Sequence, residues 1–83
     1  MQKIRKDVGL GRNIRALRMT SHMTQEQVTA RMQLLGCDIS RSVYAQIESG
    51  TYNIRVTELV ALKRIFDTDY NAFFEGMEES NEL

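Results

Sequence analysis

The sequence has no proline and no tryptophan, one cysteine (Cys37) and one histidine (His22) among 83 residues. A single cysteine excludes an internal disulfide, and one thiol with one imidazole is too small a donor set for a closed metal site, so neither a metal nor a cofactor is expected. No apolar run approaches the roughly 18 residues needed to span a bilayer. The basic opening Met1-Gln2-Lys3-Ile4-Arg5-Lys6 leads into no hydrophobic segment. Neither a transmembrane helix nor a signal peptide is expected, and the chain should stay in the cytoplasm. Strand-like alternation and internal repeats are missing too. An enzyme is not expected: His22 stands alone, Cys37 has no base partner in view, and no carboxylates are spaced as a catalytic pair.

Net charge is also missing, but the zero is an average of two unlike halves. Residues 1–50 carry a net +4, with Arg12, Arg15, Arg18, Arg31 and Arg41 among their cations, and residues 51–83 carry a net −4. Such a dipole points to a polyanionic partner for the first half.

What is present is helical periodicity with clear stops. Residues 1–8 read as a basic arm, in which Lys3, Arg5 and Lys6 could meet phosphate. Leu10, Ile14 and Leu17 then mark a first helix at i, i+4, i+7, with Gly9 and Gly11 at its start. Thr24 with Gln27 fits a capping box, and Met23 and Val28 form its hydrophobic staple. A second helix is therefore expected from Gln25 to Leu34 or Leu35, with Val28, Met32 and Leu35 on its apolar face. Gly36 stops it.

Ser40 caps a third helix, Arg41 to Ser49, and Gly50 ends it. At 100° per residue, Val43, Tyr44 and Ile47 share one side. The other side carries Arg41, Ser42, Ala45, Gln46 and Ser49, short or flexible side chains of the kind that can approach and read base edges. Leu59, Leu62, Ile65 and Phe66 mark a fourth helix. Asp69 caps a short fifth, with Tyr70, Phe73, Phe74 and Met77 as its apolar residues. Residues 76–83 are expected to be an acidic, disordered tail. The fold class is all-α, five helices in one domain over residues 9–75.

The segments GRNIRALR, MTQEQVTARM, ISRSVYAQIESG and ELVALKRIFDTDYNAFF together resemble the helix-turn-helix domains of phage Cro and repressor type. The resemblance covers about Leu10 to Phe74. It implies a compact repressor-like domain in which helix 3 enters the major groove, with Arg41, Ser42 and Gln46 reading bases and Ala45 close to them. It also implies that Gln25 lies against a phosphate and against helix 3, that Thr51, Tyr52 and Asn53 contact phosphate, and that Arg18 and Glu48 form a structural ion pair. Arg12, Arg15 and Ser49 join the expected backbone contacts. One departure stands out: the link through Gln33-Leu34-Leu35-Gly36-Cys37-Asp38 is about four residues longer than the usual tight turn. Thr29 stands where the family commonly has alanine.

These roles imply a regulator, expected to be a repressor, that binds a palindromic duplex as a homodimer. The competing reading keeps the fold and changes the partner: an antitoxin or adaptor that binds a protein, with the acidic C-terminal half as its contact.

Overall fold

Helix starts and stops in this chain have identifiable chemical causes, and together they set where the third helix lies. In the computed structural model, which describes residues 8–77, the elements are α1 (Val8–Thr20), α2 (Gln25–Leu34), α3 (Arg41–Ser49), α4 (Val56–Phe66) and α5 (Tyr70–Phe73). Among the described residues there is no strand. The expectations for the basic arm over 1–7 and for the acidic tail over 78–83 lie outside the described residues.

Before α2, Thr24 Oγ1 accepts from Gln27 N at 3.0 Å while Gln27 Oε1 accepts from Thr24 N at 2.9 Å, a reciprocal cap that satisfies two backbone donors. Ser40 Oγ accepts from Val43 N at the start of α3, and Asp69 Oδ1 from Ala72 N at the start of α5. The start of α4 uses a buried carboxylate: Glu58 Oε1 accepts from Arg55 N at 2.8 Å.

Four helices end alike. After α1, α2, α3 and α4 the chain passes through a left-handed residue, respectively His22, Gly36, Gly50 and Asp67. In each case the following N–H reaches back five residues: Met23 to Arg18 O, Cys37 to Met32 O, Thr51 to Gln46 O and Thr68 to Lys63 O. This is the Schellman closure, which satisfies orphan carbonyls and turns the chain sharply. Gly36 and Gly50 are legible as stops because glycine favours this conformation. His22 and Asp67 are not, because their φ values of 58° and 52° run against the preference of a residue with a Cβ.

The core is a single cluster built from all five helices and from the link before α3, with Ile14, Val28, Met32, Ile39, Tyr44, Ile47, Leu62, Phe66 and Phe73 buried. Two sequence expectations need correction. Leu35 does not complete the apolar face of α2; it is 39% exposed, and Leu34 is 86% exposed, because the Schellman turn lifts the end of the helix off the core. Gly11 is not a start signal for α1. It is buried against α3, and a Cβ there would sit 2.5 Å from the carbonyl oxygens of both Ile47 and Glu48. Glycine lets the α1 and α3 backbones touch.

The lengthened link of residues 35–40 is tied down at several points. Ile39 is buried in the core, Gln33 Nε2 donates to Ile39 O at 2.8 Å, and Cys37 packs against the core beside Thr57 of α4. Thr29 is buried, with its hydroxyl donating to Gln25 O one turn back, so its extra polar atom is satisfied.

Two substitutions test this account. Gly11→Ala is expected to cost about 1–3 kcal/mol in urea melts, because the new methyl forces the two helices apart. Asp67→Gly is expected to raise stability by about 1 kcal/mol, through relief of left-handed strain and removal of a negative charge from the C-terminus of α4.

Candidate nucleic-acid interface

The candidate interface is assembled around one buried carboxylate. Glu48 lies on α3 one turn after Tyr44, on the flank between Tyr44 and Arg41 at 100° per residue, and is 8% exposed. Its Oε2 accepts from Arg18 Nε of α1 at 2.6 Å and from the Tyr44 hydroxyl at 2.6 Å. Its Oε1 accepts from Arg18 Nη2 at 3.1 Å and from Gln25 Nε2 of α2 at 3.0 Å. The remaining arginine nitrogen, Nη1, donates to Met23 O at 2.9 Å in the junction between α1 and α2. One carboxylate therefore binds three helices together, and the Arg18 fork engages it with both oxygens.

This environment fixes the charge states. Burial pushes the Glu48 carboxyl up, but hydrogen bonds from Arg18, Tyr44 and Gln25 outweigh it and hold the group below its ordinary value of 4.5. For Tyr44, burial and then donation to Glu48 carry the hydroxyl well above its ordinary value of 10. Arg18 is held more firmly protonated by its hydrogen bond to Glu48, in spite of burial. The centre is an ionised pair with a neutral phenol beside it.

With its inner side so anchored, α3 turns the other side outward. Arg41, Ser42, Gln46 and Ser49 are exposed, and Ala45 is half-buried. Ser49 Oγ donates to Gln46 O at 3.1 Å and lies 3.1 Å from Thr51 Oγ1, so the C-terminal end of the face is held by local hydrogen bonds. Arg41 Nη1 donates to Gln25 Oε1 at 3.0 Å, which joins the start of α3 to the start of α2.

Arg12 and Arg15 of α1 and Thr51 and Asn53 of the α3–α4 link are exposed. Tyr52 is differently placed from a phosphate donor. It is half-buried, and its hydroxyl donates to Glu58 Oε2 at 2.9 Å, so that proton is committed within the chain. Sequence reasoning missed three things here: the hydroxyl role of Tyr44, the link from Gln25 to Glu48, and the Tyr52–Glu58 pair. The i, i+4 spacing of Tyr44 and Glu48 was the available signal for the first.

Among the described residues no three His, Cys, Asp or Glu side chains come together, and no helix is long and apolar enough to cross a membrane.

Two capped helices joined by a turn, the second braced from behind and presenting a short polar face, define a helix-turn-helix domain. Residues 14–73 match the family model described as helix-turn-helix, and the chain belongs to that family, in its Cro and repressor type. This is a family of DNA-binding regulators. Comparison with curated proteins gives no match, and neither does comparison with solved structures.

The centre gives two linked predictions. Glu48→Ala strands the buried Arg18 charge and is expected to cost about 3–5 kcal/mol in urea melts. Because the folded Glu48 binds its proton more weakly than the unfolded one, its contribution is present above pH 4.5 and is lost as pH falls below that value. Urea midpoints measured down to about pH 3 should fall for the natural chain and fall less steeply for Glu48→Gln.

Proposed function

We propose that the protein binds duplex DNA sequence-specifically as a homodimeric transcriptional repressor in the cytoplasm, with α3 of each subunit in the major groove of one half of a palindromic operator. The observation that supports this most is the asymmetry of α3. Its inner side is fixed by the Glu48 network, and its outer side offers Arg41, Ser42, Ala45 and Gln46 with their hydrogen-bonding groups accessible.

In this reading Arg41 donates to guanine O6 and N7, Gln46 pairs with adenine N6 and N7, and Ala45 meets a thymine methyl. Ser42 reaches a neighbouring base edge. Arg12, Arg15, Gln25, Ser49, Thr51 and Asn53 hold phosphates, which sets register without reading sequence. Tyr52 contributes by packing and by fixing the link through Glu58. Half-sites lie about one helical turn apart, since two rigid subunits related by a two-fold axis meet the same groove at that spacing. The protein-partner reading, in which a helix face of the same fold binds a protein with the acidic C-terminal half in support, has no observation of this kind behind it.

On duplex selected from random DNA, Arg41→Ala and Gln46→Ala are each expected to lose about 1–3 kcal/mol of discrimination at one base pair while leaving the melting curve in place. With around six phosphates neutralised per dimer, log affinity should fall with log salt at a slope near −5. A slope near zero in an anisotropy titration would sink the DNA reading, and undiminished binding by both variants would move the function to a protein partner.

A further inference from the structure

Arg55 stands where the fold gains least from it. It occupies the N-cap of α4, a position that favours Ser, Thr, Asp or Asn, and it makes no side-chain cap there, since a guanidinium has no acceptor. Its charge also lies at the end of α4 that the helix dipole makes positive. The cap comes instead from Glu58, three residues on, which is buried and accepts from Arg55 N at 2.8 Å. The Arg55 backbone is thereby fixed while its side chain stays exposed.

The same carboxylate holds the chain further back. Glu58 Oε2 accepts from the Tyr52 hydroxyl at 2.9 Å. Burial and this donation raise the hydroxyl above its ordinary value of 10, so it stays protonated and donating. The link after α3 is thus pinned at three points: Thr51 N on Gln46 O, and the Tyr52 hydroxyl and Arg55 N on Glu58. Between these points exposure alternates. Tyr52 and Ile54 pack against the core, whereas Thr51, Asn53 and Arg55 are exposed.

We propose that Arg55 is a further phosphate-contact residue, in line with Thr51 and Asn53, and that Glu58 positions it by tying the Tyr52 hydroxyl and the Arg55 backbone to one carboxylate. The proposal rests on the DNA reading given above, in which the link after α3 meets the phosphate backbone. Thr51 and Asn53 are neutral and can bond a phosphate without displacing its counterion; Arg55, the one cation of residues 50–55, supplies the charge that does. In a chain whose residues alternate in and out, a slip of one residue would turn the outward row inward. The Tyr52 hydroxyl, by preventing that slip, governs a charge three residues away. A cation that only solvates the surface would leave the salt dependence of binding unchanged.

The test is anisotropy titration of the 83-residue protein, at several salt concentrations, on duplex selected from random DNA and on its single-base-pair variants. Arg55→Ala should remove one phosphate contact per subunit and make the slope of log affinity against log salt shallower by roughly two for a dimer. Affinity should fall by roughly tenfold or more near 0.1 M salt, by the same factor for every duplex, because a phosphate contact reads no sequence. Arg55→Lys, which keeps the charge, should restore the slope. Tyr52→Phe removes one oxygen, leaves the ring, and should shift the slope in the same direction as Arg55→Ala. The double variant Tyr52→Phe/Arg55→Ala should lose no more than Arg55→Ala alone. Glu58→Gln keeps an acceptor for Arg55 N and offers its amide to the Tyr52 oxygen, so it should retain the natural slope. Thermal melts of each variant verify the fold.

A slope unchanged by Arg55→Ala would overturn the phosphate contact. Additive losses in the double variant, or a natural slope in Tyr52→Phe, would overturn the positioning role. A slope near zero for the natural chain is the failure of the DNA reading itself, and it is seen before any variant is made.

Discussion

The placement of α3 depends first on four hydrogen bonds to one carboxylate. Glu48 is removed from water, and a lone charge there would be expensive. It is tolerated because Arg18 brings the opposite charge with a two-point fork and Tyr44 and Gln25 fill the remaining lone pairs. The donors come from α1, α2 and α3, so satisfying the charge and fixing the angles among the three helices are the same event. A buried pair of this kind need not add much net stability over an apolar replacement, but losing one member is costly. In this chain its further effect is geometric: it settles which side of α3 faces inward.

Backbone packing reinforces the same placement. Gly11 lets α1 approach the carbonyl end of α3 to a distance that no residue with a Cβ could allow, which brings Arg18, two turns further along α1, onto Glu48. On the other flank, Ile39 enters the core just before α3, and Gln33 holds its carbonyl. The long link between α2 and α3 is thus anchored at both ends. The end of α2 and the first link residue, Leu34 and Leu35, are exposed instead of joining the core.

Function follows from dividing polar groups between two tasks. Glu48, Tyr44, Arg18, Tyr52 and Glu58 spend their hydrogen-bonding capacity inside the domain. Ser42 and Gln46 expose theirs, and Arg41 and Gln25 stand between, each with one group committed inward and others open. Under the proposed DNA reading, that gradation joins a stable domain to a surface on which unsatisfied acceptors and donors are costly and mismatched base edges are therefore discriminated.

The sequence by itself determined the helices, because caps and glycine stops are local chemistry. Thr24 with Gln27, Ser40 with Val43 N, and Gly36 and Gly50 act within a few residues of themselves. The period of Val43, Tyr44 and Ile47 likewise divides α3 into two faces without reference to anything distant. Only the tertiary structure decided what long-range proximity controls. Gly11 and Glu48 are 37 positions apart, so nothing local shows that one makes room for the other. The left-handed stops at His22 and Asp67 oppose their residues' own preference and persist because packing imposes them. Leu35 has the right period for the core and loses its place because the turn after α2 lifts it away. The resemblance puts Gln25 against helix 3; that its amide meets Glu48 with one atom and Arg41 with the other is decided only by the fold, which brings those two residues to either side of it.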